Sequence, residues 1–224
     1  MTAARDPAAP DATRERIKAI AAELYVLRGH DGFSFGDVAD AIGTTRANIH
    51  HHFGNKRQLM AELIEGFVAD AQDRIIRHWT NRDASFGERL AGHIEDMRRF
   101  HDRFNKPGER NAWSPLSRLR LDLPALGDLA AHALERVDRV YDSCLRQAVG
   151  DAIRAGELGD ATPVEEVARV LRLTLSACAP LTLDRGGFDE VERLFAAIGR
   201  LIQAAWGTKA TGKRRPAAKA RRRR

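Results

Sequence analysis

Residues 32–59 read GFSFGDVADAIGTTRANIHHHFGNKRQL, and their punctuation decides the fold. Ser34 can accept hydrogen bonds from the free N–H groups of a first helical turn, while Asp37, three residues on, reaches back. That capping box starts a short helix. Val38, Ala39 and Ile42 share one apolar face of it, and Gly43 ends it, because the position past a helix often needs a left-handed backbone. Thr44 or Thr45 caps a second helix, from about Thr45 to Phe53. Asn55-Lys56 then opens a third. Two helices of about two turns each, joined tightly, make a helix-turn-helix over about residues 36–55.

The second helix has the profile of one that enters a DNA major groove. Ile49 and Phe53, at i and i+4, anchor its inner face. Arg46 and Asn48 are the candidate base readers, since Arg can bond guanine bidentately and Asn can do the same for adenine. Ala47 allows close approach. Ser34, Thr44, Thr45, His50 and His51 add hydrogen-bonding groups, and Lys56 stands at a helix start whose free N–H groups suit a phosphate. The plainer reading of the same pattern is a pair of short helices in an all-α core with solvated polar faces.

The segment resembles the DNA-binding domain of the TetR-type (TetR/AcrR) bacterial transcriptional regulators. The resemblance is carried by Gly32-Phe33-Ser34, Asp37-Val38-Ala39, Ala41-Ile42-Gly43, Thr45, Ile49, His52-Phe53, Asn55-Lys56 and Leu59. It extends back through an amphipathic helix from Thr13 to Arg28 and covers roughly residues 13–73. Two positions depart from the family pattern: Thr44 replaces a usual aliphatic residue, and His50 stands where a phosphate-contacting Tyr is common. The resemblance implies an all-α protein, with a three-helix DNA-binding domain followed by six helices for ligand binding and dimerisation. The expected division is a disordered N-terminus at 1–12, the DNA-binding domain at 13–73, the ligand-binding and dimerisation domain at 74–206, and a disordered basic tail at 207–224.

At 224 residues, 43% of them apolar, the chain is long enough for one small and one larger domain. No apolar run approaches the roughly 20 residues that span a bilayer. The first residues lack the apolar stretch of a secretory signal. Cys144 and Cys178 fit reduced, buried thiols, so a cytoplasmic protein is expected. The formal charge of +6 is unevenly placed. Residues 1–206 carry 28 Lys and Arg against all 31 Asp and Glu, whereas the last 18 residues carry nine Lys and Arg and no acid. Those last residues suit an arm along DNA phosphates, or a merely solvated extension.

Helical periodicity continues to about Trp206. Spacing predicts a long helix from Lys56 to Trp79, another from Ser85 to Phe104, a short one at Ser114-Pro115, a long one from Leu123 to Ala155, and two more from Pro163 and Phe188. Nine helices follow in all.

The last two helices carry stripes that read equally as dimer seam or monomer core. On the family pattern the seam would use Val167, Leu171, Thr174, Leu194, Ile198, Leu201 and Ile202. A helix-turn-helix protein also gains specificity by reading two half-sites as a homodimer on a palindromic operator. The candidate lining of a small-molecule pocket is Phe67, His93, Met97, Phe100, Phe104, Trp113, Tyr141 and Cys178; such side chains also fill ordinary cores. His93, His101, Arg103 and Arg118 are available as polar anchors.

No metal or other cofactor is expected. The three consecutive histidines His50-His51-His52 point about 100° apart on a helix and cannot converge on one ion. No nucleophile elbow, phosphate loop or dinucleotide motif argues for an enzyme. The expected function is a regulator, most simply a repressor released from its operator by an unknown small-molecule inducer. An activator, or a DNA-bound interaction protein with no inducer, would share the same motif.

Overall fold

The computed structural model describes residues 8–185 and 187–208. Among these residues it is all-α, with ten helices: α1 (Ala8–Arg28), α2 (Phe35–Ile42), α3 (Arg46–Phe53), α4 (Lys56–Trp79), α5 (Phe86–Phe104), α6 (Pro115–Leu121), α7 (Leu123–Leu126), α8 (Asp128–Arg154), α9 (Val164–Arg185) and α10 (Asp189–Trp206). The one β-type pairing in this region is an isolated bridge between Leu158 and Gly207.

Helix α1 begins at Ala8, ahead of the Thr13 start that spacing suggests, with Pro10 in the first turn, where a missing N–H costs nothing. The helix expected from Leu123 to Ala155 is two helices. Gly127, at φ +55°, breaks it after the single turn Leu123–Leu126, and the chain restarts at Asp128. That break raises nine helices to ten. Residues 1–7, and 209–224 of the expected tail, lie outside the described residues.

Local caps set the N-terminal elements. Ser34 and Asp37 form the reciprocal capping box, and Gly43 closes α2 at φ +70°. Thr45 caps α3 by accepting from the Asn48 N–H, and Asn55 pairs with Gln58 in a second capping box at the start of α4. Phe35, Val38, Ala39 and Ile42 of α2 and Ile49 and Phe53 of α3 are buried against Ile17, Ala21 and Tyr25 of α1 and Leu59 and Leu63 of α4.

Helix α4 joins the two halves of the molecule. Its start lies among the first three helices, and its length of 24 residues, about 36 Å at 1.5 Å per residue, packs on α8 and α5. At its far end the buried Arg89 donates to the Trp79 carbonyl and to Asp151, both at 3.1 Å. The chain after α10 is held at that same end, where Phe86 N–H donates to Glu157 and Thr208 N–H donates to the Glu157 carbonyl. Pro180 sits inside α9 and has no N–H to offer the Ser176 carbonyl one turn back.

Candidate nucleic-acid interface and internal cavity

Helix α3 presents Thr45, Arg46, Ala47, His50 and His51 as exposed residues, with Asn48 half-buried, while Ile49 and Phe53 hold its other face in the core. Among the described residues Arg46 makes no ion pair, so its guanidinium is available to a base edge. Asn48 donates through Nδ2 to the Thr44 hydroxyl at 3.1 Å. Thr44, where the family usually has an aliphatic residue, thus orients Asn48. That bond uses one of the two Nδ2 hydrogens and leaves the other, with the amide oxygen, for the paired contacts that reading an adenine takes.

His50 is oriented too. Its Nδ1 lies 2.8 Å from the Gly54 carbonyl, which can only accept, so the proton sits on Nδ1 and Nε2 faces outward. Its ring stands edge-on to Phe35 at 4.8 Å. Gly54 permits this at φ +67°, a left-handed position that also closes α3.

Lys56, expected near a phosphate, and the nearby Arg28 are otherwise engaged. Lys56 is turned inward: Nζ donates to the carbonyls of His30 and Phe33 and lies 4.4 Å from the Phe33 ring centroid. Burial pulls its pKa below the ordinary lysine value. Arg28 pairs with Asp37 at 3.2 Å. Arg57, by contrast, is exposed with no ion pair among the described residues. Sequence reading also missed Arg14, which lies 4.2 Å from the Phe53 ring centroid and donates to the His52 carbonyl and to Glu62. Its partners are 38 and 48 positions away, so no local pattern marks it.

A cavity of about 70 Å³ lies between α4, α5, α6, α8 and α9. It brings together five of the eight expected pocket residues: His93, Met97, Phe100, Trp113 and Tyr141. Phe67 instead stacks on Tyr25 at 5.8 Å, and Phe104 packs on Phe100 outside the lining. Cys178 is wholly buried, its thiol directed at the Thr174 carbonyl. Burial raises the pKa of Cys178 to about 12 and also raises that of Cys144, which leaves both thiols unreactive.

The cavity also has polar walls that periodicity did not mark: Arg74, Asp96, Arg120 and Asp138, with Ser117 and Ser176. Of the other expected anchors, His101 packs among Trp113 and Phe188, and Arg103 pairs with Glu23. Arg118 reaches the other domain. It donates to the carbonyls of Val26 and Leu27 at 3.1 and 3.0 Å, and Asp122 accepts from the His30 N–H at 2.9 Å. Helix α6 therefore walls the cavity with one face and holds the end of α1 with another.

The expected dimer stripe divides. Leu171 is fully buried within the chain, because the inner face of α9 packs on α8. Val167 and Ile202 are also buried, at 4% and 6% exposure, but reach the floor of an apolar groove walled by Ile198 and Leu201. Thr174 and Leu194 lie half-buried beside this groove's lining, and the Thr174 hydroxyl donates to the Val170 carbonyl. On the described parts of α9 and α10 the large apolar side chains facing outward are Val170, Leu173 and Leu201, 53–68% exposed.

Residues 17–63 match the family model described as bacterial regulatory proteins, tetR family. The chain is similar to the HTH-type transcriptional repressor KstR2 of Rhodococcus jostii, 33% identical over 67 residues, which is 30% of this chain and 33% of that protein. It is also similar to KstR2 of Mycolicibacterium smegmatis, 29% identical over 62 residues, covering 28% and 30%. The chain thus spans about a third of the length of the curated relatives it matches.

The whole fold extends the likeness. A TetR transcriptional regulator from Chloroflexus aurantiacus superposes with a TM-score of 0.75 at 17% identity, covering 90% of this chain and 100% of that one. A TetR-family regulator from Agrobacterium tumefaciens gives 0.72 at 20% identity over 89% and 100%. The reduced form of E. coli NemR gives 0.72 at 16%, with the same coverage. Residues 17–63 thus carry the helix-turn-helix of the bacterial regulatory proteins, tetR family, and the ten described helices share the fold of the solved TetR-family regulators.

Proposed function

We propose that the protein is a DNA-binding transcriptional regulator, a repressor that leaves a palindromic operator when a small molecule enters the cavity behind α6. The observation that carries the DNA-binding reading is the exposed edge of α3, where an unpaired Arg46 and the Thr44-held Asn48 stand together on a helix locked from behind by Ile49 and Phe53. Repression follows the character of the relatives, which are named as repressors. No described helix is long and apolar enough to cross a membrane, and the protein is assigned to the cytoplasm, bound to the nucleoid when on its operator.

The protein acts as a homodimer in this reading, because two recognition helices are needed to read two half-sites. Val170, Leu173 and Leu201, with the groove of Val167, Ile198 and Ile202, supply the apolar face. Release is an equilibrium shift: a ligand that fits better when the α6 wall moves outward favours a state in which Arg118 and Asp122 no longer fix α1. Polar groups among the aromatic walls support a ligand over the alternative of a filled, purely structural core.

The test is selection of bound sequences from random DNA, followed by titration of the selected site. Arg46→Ala and Asn48→Ala should each lose about 1–3 kcal/mol of discrimination at one base position while retaining binding to random duplex. Equal losses on both DNAs would contradict base reading.

A further inference from the structure

The polar walls of the cavity are unbalanced. Asp96 is satisfied by His78 at 2.6 Å and Arg99 at 3.0 Å, and Asp138 by Arg120 at 3.4 Å with Arg172 at 3.7 Å. Arg74 makes no ion pair among the described residues; its guanidinium lies 5.3 Å from the Phe100 ring centroid. Across the lining, His93 is 3% exposed, its Nε2 is 3.0 Å from the Tyr141 hydroxyl, and its Nδ1 has no partner. An unpaired buried ring nitrogen is costly, and most such groups in folded proteins find partners.

The charge state of the pair is fixed by its surroundings. Burial, with His78 and Arg74 beside it, pushes the His93 pKa down to about 3, so the imidazole is neutral and holds one proton. Burial also raises the Tyr141 pKa, so the phenol keeps its own proton. When the Tyr141 hydroxyl donates to Nε2, the imidazole proton sits on Nδ1 and becomes a donor without an acceptor. One uncompensated guanidinium and one unfilled N–H on the walls of a single cavity call for the same complement. Met97, Phe100 and Trp113 supply apolar wall beside them, and Ser114, Ser117 and Ser176 add uncharged hydroxyls.

We infer that the cavity selects an organic carboxylate, its two oxygens shared between Arg74 and the Nδ1–H of His93, its apolar body against Phe100 and Trp113. This rests on the proposal that the cavity is the effector site. A carboxylate brings one negative charge to Arg74, which has no ion pair among the described residues, and matches the guanidinium fork, whereas a phosphate dianion would leave a charge uncompensated. An ammonium head would meet Arg74 with like charge. The volume sets the order of events. A cavity of about 70 Å³ is under half the roughly 150 Å³ cavity that holds benzene. The acid head and a few carbons fit it, and a larger body displaces Pro115, Leu116 and Ser117 of the α6 wall.

The experiment uses the full-length protein and three probes that differ only in head group: phenylacetate, phenylacetamide and phenethylamine. Calorimetry and thermal shift should give phenylacetate at least tenfold tighter binding than the amide, with the amine weakest. Arg74→Met should erase that preference, lowering the affinity for the acid about tenfold and leaving the amide within twofold. Arg74→Lys, which keeps the charge, should retain most of it and guards against a misfolded variant. An amide that binds as well as the acid, a preference that survives Arg74→Met, or no binding of the acid at all would each overturn the inference. Release of DNA by neutral compounds alone would also discard the carboxylate while sparing the regulator reading. Loss of that reading is registered separately, by failure of the DNA selection.

Discussion

Replacing Lys56 by Met separates a phosphate contact from an internal clamp. In the structure Nζ donates to two backbone carbonyls, of His30 and Phe33, and lies over the Phe33 ring. Hydrogen bonds from a charged donor contribute about 1.5–3 kcal/mol each, and a cation over an aromatic ring roughly 0.5–1. The desolvation that depresses the lysine pKa offsets part of this, and water can reach the freed carbonyls at the half-buried site. A net loss of about 2–3 kcal/mol is therefore expected, or roughly 5–10 °C in Tm for a chain of this size. Met keeps the apolar stem over Phe33, so the loss isolates the ammonium.

The second readout is the salt dependence of duplex binding. Each phosphate contact contributes about 0.9 to the slope of log K against log salt, so two copies in a dimer would remove about 1.8. The inward geometry predicts a lower Tm with an unchanged slope, measured by anisotropy at temperatures where the variant is folded. A slope lowered by about 1.8 with an unchanged Tm would refute the clamp and restore Lys56 to the DNA.

Two further outcomes are accessible. Because the pKa of His93 is depressed in the folded chain, the unfolded state takes up a proton first as pH falls; stability should decline between about pH 6.5 and 3, by at most about 1.4 kcal/mol per pH unit from this residue. His93→Gln should flatten that limb in urea titrations at pH 7 and pH 5, and an identical slope in both proteins would remove His93 from the account. Leu201→Lys places a charge on a residue 68% exposed in the single chain and should yield monomers with little change in Tm, read by sedimentation; a dimer of undiminished affinity would exclude this face.

The caps were legible because their chemistry is local. Ser34 with Asp37, Thr45 with Asn48 and Asn55 with Gln58 all lie three residues apart, and each pair defines its own helix start. Lys56 and Arg14 were not legible, since what they hold lies 23 to 48 positions away. Periodicity also could not orient α9, which is apolar on two sides: Val167, Leu171 and Leu175 point inward while Val170 and Leu173 face out. Only the position of α8 tells the sides apart. Arg74 was missed for a related reason. A basic residue beside the Ala71–Ile75 stripe resembles a solvated flank until α5 and α6 close over it.

The contacts of Arg118 and Asp122 with the end of α1 bear on modularity. A helix leaves its last carbonyls unsatisfied, and here two of them, on Val26 and Leu27, are capped by a side chain about ninety positions away. The N-terminal helices therefore do not carry all of their own caps: a fragment cut after the third helix gives up the cap of its first. A transplant of the helix-turn-helix part onto another scaffold of this architecture has to bring a substitute for the Arg118–Asp122 pair, or accept a frayed helix where the two halves meet.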